Sequence, residues 1–385
     1  MRLGINGFFW NREATGSGQY TRQLVHGLLH TSDGPQCLVF RLQTGESRHS
    51  MPPSIESMGQ RFLSSPVPLT RNLAKVWFEQ ISFPRACRDE GVDITHVPYF
   101  APPLVGGEKT VVTIHDLIPL VVPAYRGSTL VRLYTRLVSA GAQRAAAIVT
   151  DSQASRDDIL RLLRPDPAKV HVIPLAADER FKPVQDAHRV QRVREKYGLP
   201  NKYVLYLGGF DQRKNLSTLL AAYAAVDADL IRQTPLVIGG RLPSRDSDFF
   251  PDPRVMVRRW DLEGVVTFVG WVAEEDKPVL YSEASLFVFP SFYEGFGLPV
   301  LEAMCCGAPV IASEAASLPE ISGDAAVLFA PHDVQGLAQA LTELLQDSPR
   351  RAQLGAKGLE RAQLFSWEKT VAQTLEVYES VAARV

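Results

Sequence analysis

Two doubly wound, Rossmann-like α/β domains are what this 385-residue sequence predicts. Short β-branched runs alternate with longer helical patterns almost throughout, the mark of parallel sheets covered by helices on both faces. The alternation restarts near Lys202, after a stretch punctuated by Pro174 and by Gly198-Leu199-Pro200. Length agrees with two domains, which run to roughly 100–200 residues each. Aliphatic and aromatic residues make up 45% of the chain, enough for two sizeable cores.

The first six strands are expected at residues 2–6, 37–42, 94–98, 110–114, 146–150 and 170–173, with helices such as 19–29 and 155–163 between them. The second series is expected at 203–207, 235–238, 265–269, 285–289, 309–311 and 325–329. Residues 1–175 then form the first domain, 176–201 a hinge and 202–365 the second domain. The last segment, 366–385, carries helix-spaced apolar residues at Trp367, Val371, Leu375, Val377, Tyr378 and Val381. It either ends the second domain or packs back on the first. Domains of this kind face each other across a cleft, with ligands at the carboxyl ends of the strands.

Composition excludes several classes of function. A formal charge of −1 gives no global cationic field for nucleic acid. Cys37, Cys87, Cys305 and Cys306 do not form a disulfide scaffold or a zinc-site spacing. No apolar run approaches the ~20 residues needed to span a bilayer, and the start at Met1-Arg2-Leu3-Gly4-Ile5-Asn6 reads as a strand and not a signal peptide. The expectation is a soluble, cytoplasmic protein. Charge is nonetheless uneven: residues 1–175 hold 19 Lys and Arg against 14 Asp and Glu. Arg126, Arg132, Arg136 and Arg144 lie in one acid-free stretch. Two readings stand: solvated helix faces, or a first domain that docks peripherally on the inner face of a membrane or on a phosphorylated acceptor.

The richest segment runs PSFYEGFGLPVLEAMCCGAPVIAS, from Pro290 to Ser313. A buried strand ends at Pro290, a helix begins near Pro299 and Gly307 ends it. Glu294 falls in the loop, and Glu302 is expected in the first helical turn, near the positive end of the helix dipole. One carboxylate can accept from two vicinal ribose hydroxyls, a second can orient a hexose, and glycines let backbone N–H groups approach phosphate. On spacing alone, Glu302 is equally readable as a helix-start acid and Glu294 as a solvated loop residue.

Glu294-x7-Glu302 within that segment resembles the signature of the retaining glycosyltransferases of family 4, which have the GT-B fold. The likeness extends to VHVIPLAADERF (170–181), YVLYLGGFDQRKNLSTLLAAY (203–223), VTFVGWV (266–272) and SLPEISGDAAVLFAP (317–331). It covers nearly all of residues 1–365, densely after 145 and thinly between 43 and 90. The resemblance implies that Glu302 holds the donor ribose and that Glu294 contacts the transferred sugar. Backbone groups of Gly295, Phe296, Gly297 and Leu298 would lie along the sugar and diphosphate. Arg213 and Lys214 would clamp the diphosphate, whose negative charge grows as the glycosidic bond breaks. Many relatives place that arginine directly after the strand, where this chain has Gly209, so Arg213 is read as its substitute.

In the first domain, a glycine turn ahead of a helix is an anion site in principle, and the resemblance assigns Gly16 and Gly18 to the donor phosphate. His115, with Asp116 beside it after a strand, would be a polar contact near the anomeric carbon; a satisfied structural histidine is the other reading. His96 ranks below it. Val272, next to Gly270 and Trp271, would meet the nucleotide base. Asp227-Ala228-Asp229 and Asp246-Ser247-Asp248 match the Asp-x-Asp metal pattern of another transferase architecture, but neither follows a buried strand directly. The fixed cations make a metal unnecessary, so no cofactor is expected. The expected activity is transfer of a hexose, with mannose from GDP-mannose as first assignment, to a saccharide or lipid-linked saccharide. A nucleotide-sugar 2-epimerase of the same fold and a catalytically silent sugar-nucleotide sensor are the alternatives.

Overall fold

Strand–helix alternation closes into two separate parallel sheets, described in a computed structural model for residues 1–12, 15–32, 34–43, 59–64 and 70–384. The chain divides into one unit of Met1–Leu175 with Ser366–Val385 and a second of Ala176–Phe365. The first unit holds β1 (Arg2–Asn6), β2 (Gln36–Leu42), β3 (Gly59–Leu63), β4 (Ile94–Val97), β5 (Thr110–Thr113), β6 (Ala147–Thr150) and β7 (Val170–Val172). They lie in the order β3-β2-β1-β4-β5-β6-β7. The second unit holds β8 (Val204–Leu207), β9 (Leu236–Gly239), β10 (Val266–Gly270), β11 (Leu286–Phe289), β12 (Val310–Ser313) and β13 (Ala326–Phe329), in the order β10-β9-β8-β11-β12-β13. Both orders step outward from the first strand and then reverse, as in a doubly wound Rossmann sheet.

Burial explains why the central strands are the most legible in the sequence. All four residues of β5, β6, β8, β9, β11 and β12 are buried, because helices cover both faces, so each reads as a continuous apolar run. The strand missed is β3, an edge strand of Gly, Gln, Arg, Phe and Leu whose residues are exposed or half-buried. It pairs in register with β2, from Leu38↔Gly59 to Leu42↔Leu63.

The C-terminal helix Trp367–Ala382 belongs to the first unit. Its buried residues Thr370, Val371, Thr374, Val377, Tyr378 and Val381 form one face. Leu375, expected on that face, is only half-buried; Thr374 is fully buried instead, its hydroxyl donating to the Thr370 carbonyl at 2.6 Å. Thr370 also donates to the Pro174 carbonyl at 2.7 Å, which fixes the helix beside the end of the unit's first segment. Residues 176–201, read as a hinge, carry the helix Ala187–Tyr197 and are held within the second unit by the ion pairs Arg194–Glu283 and Lys196–Asp276.

Candidate active site

Where a doubly wound sheet reverses its strand order, the loops leaving the two central strands part and open a crevice at their carboxyl ends. In the second unit these strands are β8 and β11, paired through Leu286↔Val204 and Phe287↔Leu205. The loop after β8 carries Arg213 and Lys214 in the 3₁₀ turn Gln212–Lys214, and the loop after β11 carries Glu294. Hydrogen bonds to backbone carbonyls stitch the two loops together. Asn215, in the left-handed region at φ 52°, donates from Nδ2 to the carbonyls of Pro290 at 2.9 Å and Pro331 at 2.7 Å. The Phe292 N–H donates to the Arg213 carbonyl at 2.8 Å, and Arg213 Nη1 donates to the Tyr293 carbonyl at 2.8 Å.

This bracing brings the predicted residues Arg213, Lys214 and Glu294 together. Arg213 Nη1 lies 2.6 Å from Glu294 Oε2, and Lys214 Nζ lies 2.7 Å from Glu294 Oε1. The three side chains are 11%, 13% and 12% exposed, in that order, so they are shielded yet reachable. Asp211 lies 3.5 Å from Arg213 Nε, giving two carboxylates for two cations and leaving neither buried charge uncompensated. Burial opposes the charge on Glu294, but the adjacent Lys214 and Arg213 outweigh it and hold the carboxyl below its ordinary pKa. The site is therefore a fixed, ionised cluster.

Glu302 departs from its expected position. The helix starts at Leu298 with Gly297 before it, which puts Glu302 in the second turn and not the first. The dipole acts mainly within the first turn, so burial sets the behaviour of this side chain instead. Glu302 is 7% exposed, and desolvation pushes its carboxyl up to about 7, against the weaker pull of Lys277 and of the Tyr281 hydrogen bond. Tyr281 Oη donates to Oε2 at 3.0 Å; burial holds its phenol well above the ordinary value, so it stays a donor. The turn between the two acids depends on Gly297 at φ 111°, where a Cβ would meet Leu318 Cδ2 at 2.6 Å. Ser317 Oγ donates to the carbonyls of Glu294 at 3.0 Å and Phe296 at 2.6 Å, which pins the backbone of Gly295 between them. Leu298 opens the helix that follows. Val272 is buried just past β10, whereas Trp271 is 51% exposed, with the Arg241 guanidinium 5.6 Å from its ring centroid.

In the first unit the glycines are part of the helix and not a turn ahead of it. The helix spans Gly16–Leu29, and Thr15 caps it by accepting from the Gly18 N–H at 3.3 Å. A Cβ on Gly18 would sit 2.2 Å from the Arg12 carbonyl oxygen, whereas one on Gly16 would meet nothing within 4 Å. His115 follows β5, with Nδ1 2.7 Å from Oδ2 of the buried Asp151 at the end of β6 and its ring edge-to-face with Tyr20 at 4.9 Å. Burial opposes protonation of His115, but Asp151, Asp116 and the Pro98 carbonyl prevail and raise its pKa above the usual value. Asp116 also accepts from the Ile118 N–H at 3.0 Å. His96 is fully buried between Thr113 Oγ1 at 2.8 Å and Tyr378 Oη at 2.6 Å, and burial lowers it to about 3, so it stays neutral and structural.

Neither Asp-x-Asp pattern is poised for a metal. Asp227 caps the helix Ala228–Gln233, Asp229 pairs with Arg232, and Asp246 accepts from the Asp252 N–H. Among the described residues, no group of three or more His, Cys, Asp or Glu could hold a metal ion. The sequence reasoning missed Asp151, Tyr281, Asn215 and Ser317. Asp151 had a signal, as an acid directly after a buried strand. Tyr281 lies 21 residues from Glu302 and had none.

Comparison with known proteins supplies the family. The model for Glycosyltransferase Family 4 matches residues 14–181, and that for Glycosyl transferases group 1 matches residues 190–361. The chain is 33% identical over 374 residues to the O-antigen chain mannosyltransferase B of Escherichia coli, covering 95% of this chain and 96% of that one. It is 34% identical over 274 residues to the serotype-specific mannosyltransferase WbdA of Escherichia coli, but that match spans 70% of this chain and only 33% of WbdA. Among solved structures, sucrose-phosphate synthase from Thermosynechococcus elongatus superposes with a TM-score of 0.78 at 26% identity, covering all of both chains. No helix among the described residues is long and apolar enough to cross a membrane. Two Rossmann-like units, both family models and a relative matched along nearly its whole length place the chain among the family 4 glycosyltransferases of GT-B fold.

Proposed function

We propose that this glycosyltransferase moves mannose from GDP-mannose to a hydroxyl of a saccharide or lipid-linked saccharide, with retention of anomeric configuration and without a metal. The observation that carries the reading is the Arg213–Lys214–Glu294 cluster at the carboxyl ends of β8 and β11. Fixed cations there meet a diphosphate whose charge increases in the transition state, so they lower the barrier more than they tighten the ground state. Glu302 accepts from the ribose hydroxyls, and Glu294 accepts from hydroxyls of the sugar. In the first unit, His115 presents an imidazole oriented by Asp151 as a polar contact to the substrate, and Gly16 and Gly18 offer backbone to its phosphate. Mannose is favoured because relatives that match over 95% and 70% of this chain carry mannosyltransferase names.

Both acids have donor-binding duties, so neither is assigned as a covalent nucleophile. The departing phosphate oxygen then takes the proton of the acceptor hydroxyl as that hydroxyl attacks the same face. A saturation-transfer NMR screen of GDP-, UDP-, ADP- and dTDP-sugars tests the donor, with GDP-mannose expected to give the signal. An inverted linkage in the product, abolition of turnover by a chelator, or diphosphate release equally fast without any acceptor would each contradict the scheme.

A further inference from the structure

Strand β10 does not run straight to its end. Its pairing with β9 shifts register between Phe268 and Gly270, and Gly270 takes φ 70°, where a side chain would be strained although nothing lies within 4 Å of the place its Cβ would occupy. The glycine therefore serves the backbone, and a shift of this kind re-aims the residue that follows. That residue is Trp271, at the carboxyl edge of the sheet, where doubly wound domains bind their ligands. Its indole is 51% exposed, whereas the adjacent Val272 is 4% exposed.

This exposure is not slack in the chain. The Gly240 N–H donates to the Gly270 carbonyl at 2.8 Å. Beyond Trp271, the Ala273 N–H donates to Tyr197 Oη at 3.2 Å, and Tyr197 donates in turn to Asp276 Oδ2 at 2.9 Å. Asp276 precedes the helix Lys277–Ser282, whose Tyr281 donates to Glu302 at 3.0 Å. The loop from Trp271 to Asp276 is thus tied at both ends and leads straight to the carboxylate assigned to the ribose. The Arg241 guanidinium lies over the indole, 5.6 Å from its ring centroid. A cation on one face of the ring leaves the other for a second flat group.

We propose that Trp271 is the stacking platform for the base of the donor nucleotide, backed by Arg241, and that it favours purines because their larger rings overlap the indole more. The inference rests on Glu302 holding the ribose, since the base is joined to that sugar.

Calorimetry on the full chain with GDP, ADP, UDP and inorganic pyrophosphate tests it. Trp271→Leu should weaken GDP and ADP about 5- to 150-fold, the range of one base–aromatic stack. It should weaken UDP by less and leave pyrophosphate binding and the thermal transition unchanged. Trp271→Phe keeps a ring and should retain most of the GDP affinity, while the quenching of tryptophan emission by GDP is lost. An equal loss for pyrophosphate or for UDP overturns the proposal. A GDP affinity that Glu302→Gln lowers and Trp271→Leu does not would remove the platform alone; one that neither substitution lowers would remove the ribose reading with it.

Discussion

Glutamine at position 302 keeps the shape of the side chain and its acceptor for Tyr281 but removes the charge, so it separates two consequences of burying this acid. The carboxyl stands at about 7 against an ordinary 4.5. At about 1.36 kcal/mol per pKa unit, ionised Glu302 costs the fold on the order of 3 kcal/mol. The folded value lies above the unfolded one, so the cost is absent well below pH 4.5, grows between 4.5 and 7, and is complete above 7. Glu302→Gln should therefore stabilise the second unit by up to about 3 kcal/mol at pH 8 and hardly at all at pH 4. In a unit of this size that is a rise of up to roughly 6–12 °C in Tm at pH 8. Donor binding should move the other way, weaker by about 1–3 kcal/mol, because a neutral amide replaces a charged acceptor for the ribose hydroxyls. Wild-type affinity should likewise decline as pH falls through about 7, where the free carboxylate becomes protonated. Calorimetry with GDP-mannose and thermal melts at both pH values read all three effects. A Tm difference that does not change with pH would place the cost elsewhere, and equal donor affinity in both proteins would remove Glu302 from the ribose.

Four further substitutions probe the remaining parts of the site. Lys214→Ala should lower kcat by about 10²–10³-fold, the usual loss on removing a group that stabilises developing charge, with a smaller rise in donor KM; steady-state kinetics showing a change confined to KM would make Lys214 a binding residue only. Asp151→Asn should lower the His115 pKa by removing the carboxylate that raises it, and NMR titration of the imidazole showing no shift would break the assigned pair. Gly16→Ala should raise stability by about 0.5–1 kcal/mol, since its Cβ enters open space within a helix. Gly18→Ala should cost roughly 1–3 kcal/mol by crowding the Arg12 carbonyl. If Gly16→Ala melts higher but keeps full donor affinity, the phosphate does not approach that glycine.

How much of this was legible beforehand depends on how local each cause is. Strands buried on both faces write themselves into the chain as short apolar runs. The half-buried edge strands β7, β10 and β13 keep enough apolar or β-branched residues to be legible as well, so twelve strands could be read. The edge strand β3 could not, because an edge exposed to solvent needs no apolar run. Arg213, Lys214, Glu294 and Glu302 were legible through the motif they belong to. Their contacts were not: Glu294 meets cations 80 residues away only because β8 and β11 are neighbours at the point of strand reversal.

Sequence alone determined the fold class, the family and the chemical types present at the site. Tertiary structure decided the charge states, because a carboxyl responds to what surrounds it in space. Glu294 is held ionised by Lys214 and Arg213, while Glu302, eight residues further on, is pushed to about 7 by burial beside Tyr281. Two identical side chains on one short segment thus acquire opposite proton affinities, and no pattern of neighbours along the chain encodes that difference.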